Sequence, residues 1–73
     1  MIVKRSVAIS GHATSISVED RFWNELRRIA GRRDLPIAAM IAEIDAARDP
    51  ATNLSSAIRL FVLDDALAHR ASD

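Results

Sequence analysis

Two histidines, His12 and His69, stand near opposite ends of a 73-residue chain that contains no cysteine. No thiolate is available as nucleophile or metal ligand, so any catalytic reading starts from these two rings and the carboxylates near them. Asp65 and His69 are four residues apart, which on a helix supplies half a metal site at most and more ordinarily makes a surface ion pair. Asp64 and Asp65 are adjacent and diverge on a helix, so they do not form a converging acid–base pair. Ser55-Ser56 opens a helical pattern, where hydroxyls cap backbone N–H groups rather than attack substrates. Gly11 and Gly31 are isolated, which excludes a phosphate-cradling loop. Trp23 adjoins Phe22, and no other aromatic is close enough to complete a base-stacking platform. A core or dimer contact is the expectation for it. These residues predict neither an enzyme, nor a metal site, nor a cofactor.

What the charges offer is binding. Ten basic and ten acidic side chains cancel overall, yet Lys4, Arg5, Arg21, Arg27, Arg28, Arg32 and Arg33 face only three acids within residues 1–33, and the remainder reverses the ratio. The front half carries net +4 and the back half −4. Such asymmetry suits an anionic partner, and it equally describes ordinary solvated helix faces.

The elements that must present these charges are small. A chain of this length is one domain, 1–73, and buries only about 60% of its unfolded surface. With 49% hydrophobic residues it belongs among folded sequences. Without disulfides, a partner subunit is the staple left to it. The absence of cysteine suits a reducing, cytoplasmic setting. No apolar run is long enough for a bilayer, and Ser6 to Ser10 is too short and polar for a signal-peptide core.

Alternation over 4–18 predicts strand structure: Val7 and Ile9 on one side of Gly11-His12, Ile16 and Val18 on the other. A type II′ turn at Gly11-His12 sets Val7 opposite Ile16 and Ile9 opposite Thr14; a single long strand with a glycine bulge also fits. In either case Ser6, Ala8, Ser10, Ala13, Ser15 and Ser17 share the polar face. A helix is expected over 19–32, with Ser17 and Asp20 spaced as a capping box and Phe22, Leu26, Ile29 and Ala30 buried. A second follows over 36–48, with Pro36 at its first position and Ile37, Met40, Ile41 and Ile44 on one face. Arg48 to Asn53 breaks it, and Thr52 or Asn53 caps a third helix over 53–69. That last helix is apolar on two faces, Leu54, Ile58, Phe61 and Val62 against Leu60, Leu63 and Leu67. The second face calls for a partner.

The stretches TSISVEDRFWNELRRIA, LPIAAMIAEIDAARD and NLSSAIRLFVL make the chain, from Lys4 onward, resemble the ribbon-helix-helix family of bacterial DNA-binding proteins in a short variant. The strand-to-helix junction is the most specific of the three. The resemblance implies a mainly α fold with a short β-ribbon: an intertwined homodimer, with one additional C-terminal helix, whose intermolecular ribbon enters the major groove of double-stranded DNA. It assigns Ala13, Ser15 and Ser17 to the base edges and Lys4, Arg5, Arg28, Arg32 and Arg33 to phosphates. It assigns Ile16, Val18, Phe22, Leu26, Ile37, Ile41, Ile44, Ile58 and Phe61 to the shared dimer core.

Two departures accompany it. Groove-reading positions in the family often carry Arg, Lys, Asn or Gln, whereas Ala13, Ser15 and Ser17 are small and make permissive base contacts. The start of the second helix, Leu35-Pro36-Ile37-Ala38, lacks the polar residue that the family offers to a phosphate, leaving Arg32 and Arg33 either as its replacement or as charges complementing a helix dipole. The expected function is transcription regulation by a homodimer. The alternative is a dimeric protein-interaction module, antitoxin-like or an adaptor, that docks a protein through its last helix without reading DNA.

Overall fold

The structure, a computed structural model, describes residues 1–71. Two strands, β1 (Ile2–Ile9) and β2 (His12–Glu19), precede three helices, α1 (Asp20–Arg32), α2 (Ile37–Ala47) and α3 (Leu54–Ala71). β1 and β2 form one antiparallel hairpin, so the bulged single strand is excluded and the ribbon closes within one chain.

The turn corrects the expected register. Ser10 and Gly11 both have positive φ, 51° and 83°, the signature of a two-residue type I′ turn. Ile9 therefore faces His12, Val7 faces Thr14 and Arg5 faces Ile16. This turn is favoured because its twist matches that of the strands, and glycine relieves one of its two left-handed positions. The expected and observed registers differ by two residues. Every side chain consequently keeps its face, and only its cross-strand neighbour changes.

The inner face of the ribbon closes the core. Ile16 and Val18 are 1% and 0% exposed and meet Leu26 and Ile29 from α1, Met40 and Ile41 from α2, and Ile58 from α3. Of the nine residues assigned to a dimer core, Ile16, Val18, Leu26, Ile41, Ile44 and Ile58 are already buried inside one chain, with Phe22, Ile37 and Phe61 half-buried against them. The physical reason is β1: it supplies in cis the second strand that the intertwined arrangement takes from another subunit.

Helix ends follow local chemistry, with corrections. Ser17 lies within β2, and Glu19 is the N-cap of α1 with no side-chain cap hydrogen bond, so the expected capping box does not form. At the other end Asp34 adopts φ 59°, and Asp34 N–H to Gly31 O (3.1 Å) with Leu35 N–H to Ala30 O (2.8 Å) makes a Schellman motif. Pro36 is the N-cap of α2 rather than its first helical residue, its carbonyl accepting from Met40 N–H. α2 stops at Ala47, where Arg48 turns extended two residues before Pro50. Asn53 caps α3, its Oδ1 accepting from Ser56 N–H at 2.8 Å. No helix among the described residues is long and apolar enough to cross a membrane.

Candidate nucleic-acid interface

The alternation that buries Ile16 and Val18 turns Ala13, Ser15 and Ser17 to the other face, opposite Ala8, Ser6 and Lys4 respectively. All are exposed except Ser17, which is half-buried at its edge by α3. Five of the six side chains are Ser or Ala, so the face is low and flat. Its one cation is Lys4. Glu19 shares the face near its end, but Arg59 Nε donates to Glu19 Oε1 at 2.9 Å. That guanidinium holds the Glu19 carboxyl below the usual carboxylate range. The acid at the end of this face is thereby kept ionised and neutralised.

Backbone bonding distinguishes the two edges of the ribbon. Ser17 N–H donates to Ser55 Oγ at 2.9 Å, and Ser17 O accepts from Arg59 Nη2 at 3.0 Å. Ser17 and Lys4 therefore form a non-hydrogen-bonded pair, and the alternation of an antiparallel ladder makes Ile2, Ser6 and Ala8 point their N–H and C=O groups outward as well. Ser55 is thus a tie between α3 and β2 rather than the helix cap that its position suggested. Nothing in the sequence marked this pairing, which spans 38 residues.

The cations assigned to phosphates divide sharply. Arg5 lies on the inner face, its Cζ 4.4 Å from the Trp23 ring centroid and its Nη2 3.3 Å from Asp20 Oδ1. Its enclosed Nη1 has no hydrogen-bond partner among the described residues, and the π-face of Trp23 is the compensation beside it. Arg28 donates to Glu25 through Nε (2.9 Å) and Nη2 (2.6 Å), which raises its already high pKa. Arg32 donates to Asp65 at 2.7 Å, joining the end of α1 to α3, and Asp65 is also 3.6 Å from His69. Arg33 stacks over Phe61 at 5.4 Å without an acid partner. Lys4, Arg21, Arg27 and Arg33 make no ion pair among the described residues. Among the described residues, the cations without an ion pair are therefore Lys4 on the ribbon, three arginines on α1 and just beyond it, and Arg70 near the end of α3. Arg21 and Arg27 lay outside the expected set; their exposure on the polar side of α1 was the signal that could have included them.

The profile of the ribbon-helix-helix domain matches residues 2–66, nearly the whole described chain. The chain belongs to the ribbon-helix-helix family. Members of this family are generally DNA-binding regulators or antitoxins. No curated protein and no solved structure matches the chain. In this ribbon-helix-helix domain the family's strand-to-helix junction is the step from β2 into α1, and the segment from Asn53 forms a third helix.

Proposed function

We propose that this ribbon-helix-helix protein is a homodimeric, non-enzymatic, DNA-binding regulator of transcription in the bacterial cytoplasm, and that it meets the major groove with the outer face of its ribbon. The observation that carries this reading is that exposed face: two paired strands, small side chains, Lys4 as its cation and no unpaired carboxylate. A two-stranded ribbon fits a major groove about 12 Å wide. Ala13, Ser15 and Ser17 then lie toward base edges, and the serine hydroxyls discriminate weakly among them. Lys4 and Arg33 supply phosphate contacts with no internal ion pair to break, although Arg33 leaves the face of Phe61. Arg28 and Arg32 exchange Glu25 and Asp65 for phosphate oxygens, while Arg5 stays at Trp23 and acts as a structural residue.

The experiment is fluorescence anisotropy of labelled random duplex DNA at low and moderate salt, repeated with Arg32 and Arg33 changed to Ala. If a dimer neutralises roughly six to ten phosphates, affinity falls about 10³ to 10⁵ fold between 50 and 200 mM salt. Binding that ignores salt and both substitutions would sink the reading.

One observation favours the protein-interaction alternative: Leu60, Leu63 and Leu67 are 53%, 48% and 49% exposed along one side of α3, an apolar stripe that DNA would not cover. Absence of DNA binding even at low salt would transfer the assignment to that module.

A further inference from the structure

The observed register of the hairpin sorts its outer face into like pairs. Counting from the turn, Ala8 faces Ala13, Ser6 faces Ser15, Lys4 faces Ser17 and Ile2 faces Glu19. The register expected from the sequence would have separated the two alanines, setting Ala8 against Ser15 and Ala13 against Ser10. The type I′ turn brings them together instead.

Ala8 and Ala13 form a non-hydrogen-bonded pair, two steps along the ladder from that of Ser6 and Ser15, so their Cβ atoms stand only about 4.5–5.5 Å apart. Their N–H and C=O groups lie in the plane of the sheet and do not rise from the face. Both residues are exposed. Together they make one small methyl-lined spot, at the turn end of the face, that offers neither donor nor acceptor. Ile2, the other apolar residue of this face, stands at the opposite end beside the Glu19–Arg59 pair.

What such a spot accepts is decided by what it cannot supply. In the major groove guanine shows two acceptors, adenine an acceptor and a donor, cytosine a donor, and thymine an acceptor beside a methyl group. A methyl surface laid on guanine, adenine or cytosine strips water from polar groups that it cannot bond, which costs free energy. Laid on the thymine methyl, it takes two apolar surfaces out of water at once.

We infer that the Ala8–Ala13 pair reads thymine methyl groups and gives the ribbon its base preference. The ligand is a duplex that presents thymine beneath the turn end of the hairpin. This rests on the DNA-binding reading above and names the sequence feature which that surface selects. One alanine alone is permissive; the pair across two strands covers a methyl and excludes water around it. The serine hydroxyls both donate and accept and stay permissive, and Lys4 stays with the phosphates. A homodimer carries the pair twice, so the preferred duplex presents thymine in two half-sites related by the dimer's two-fold axis.

The test changes the methyl and leaves the charge alone. Anisotropy at low salt compares the unmodified protein on a thymine-rich duplex and on the same duplex with deoxyuridine at every thymine. Uracil lacks only the methyl, so phosphates, base pairing and the minor-groove pattern are retained. A second comparison sets a G·C-rich duplex against its 5-methylcytosine counterpart, which adds a methyl to a different base. Uracil should weaken binding about fourfold for each methyl that the pair covers, and 5-methylcytosine should strengthen it. Ala8→Ser with Ala13→Ser should bring the thymine-to-uracil ratio to one while the helical circular dichroism persists. Equal, salt-sensitive affinity for the thymine and uracil duplexes would overturn the methyl reader and leave the DNA-binding reading standing. A ratio that survives both serine substitutions would also overturn it, by placing the methyl contact elsewhere. No binding of any duplex at low salt would overturn both readings.

Discussion

The two faces of one hairpin have the same backbone and opposite tasks. The inner face places Ile16 and Val18 at 1% and 0% exposure over three helices, and the outer face places Ala13 and Ser15 in solvent directly behind them. Alternation decides which side chain goes where, but size decides what each face can do. Large branched residues inside hold the fold together, and small residues outside leave a surface that contributes little to stability and is open to a partner. A residue on the outer face can therefore change binding without changing folding, while one on the inner face cannot.

The strongest way to break this contrast is to shorten the inner face. Ile16→Ala or Ile58→Ala removes a fully buried side chain and should cost about 2–5 kcal/mol. A domain of this size has roughly 4–11 kcal/mol in total. Urea denaturation should show a large loss in midpoint, whereas Ser15→Ala on the opposite face should stay within about 0.5 kcal/mol. Equal losses on the two faces would undo the division.

The tie between β2 and α3 comes next. Ser55→Ala leaves Ser17 N–H without its acceptor, in a half-buried setting where about 1 kcal/mol is expected, the low end for an unsatisfied group. Faster amide exchange at Ser17, with the rest of the ribbon unchanged, is the specific signature. Smaller again is a gain: Asp34→Gly relieves the positive φ at the end of α1 and should stabilise by about 0.5–1 kcal/mol in the same denaturation assay.

The smallest effect is a pH dependence at the rim of the ribbon. Arg59 lowers the folded-state pKa of Glu19 below its unfolded value, so the stabilisation is complete at neutral pH and fades as pH falls through the carboxylate range. Glu19→Gln should lower stability slightly at neutral pH and leave it nearly unchanged at acid pH, which flattens the acid limb of the profile. Steepening of that limb by Glu19→Gln would contradict the pairing.

Much of this architecture is legible in the residues because it is periodic. Alternation over Val7, Ile9, Ile16 and Val18 reveals the faces of the ribbon even when the turn is misplaced, since a two-residue slip preserves parity. The i, i+3, i+4 spacing of Leu26, Ile29 and Ala30, and of Ile37, Met40 and Ile41, likewise locates the helices and the sides they turn to the core. Long-range polar pairing is not legible in this way. Ser17 fits a capping box by spacing, yet its N–H is claimed by Ser55 and its carbonyl by Arg59. Arg5 and Arg32 read as free cations, yet one lies on Trp23 and the other on Asp65 of a different helix. Such pairs depend on how the helices dock, and no local period encodes that. The turn was missed for a different reason: Gly11 suits both a first and a second central position, and only strand twist separates them.

The claim that the outer face of the ribbon is the DNA surface is tested most directly by ¹⁵N-labelled protein titrated with duplex DNA and followed by amide chemical shifts. Perturbations concentrated at Lys4, Ser6, Ala8, Ala13 and Ser15, fading as salt is added, are the predicted result. Perturbations confined to Leu60, Leu63 and Leu67 of α3, with the ribbon silent, would contradict it.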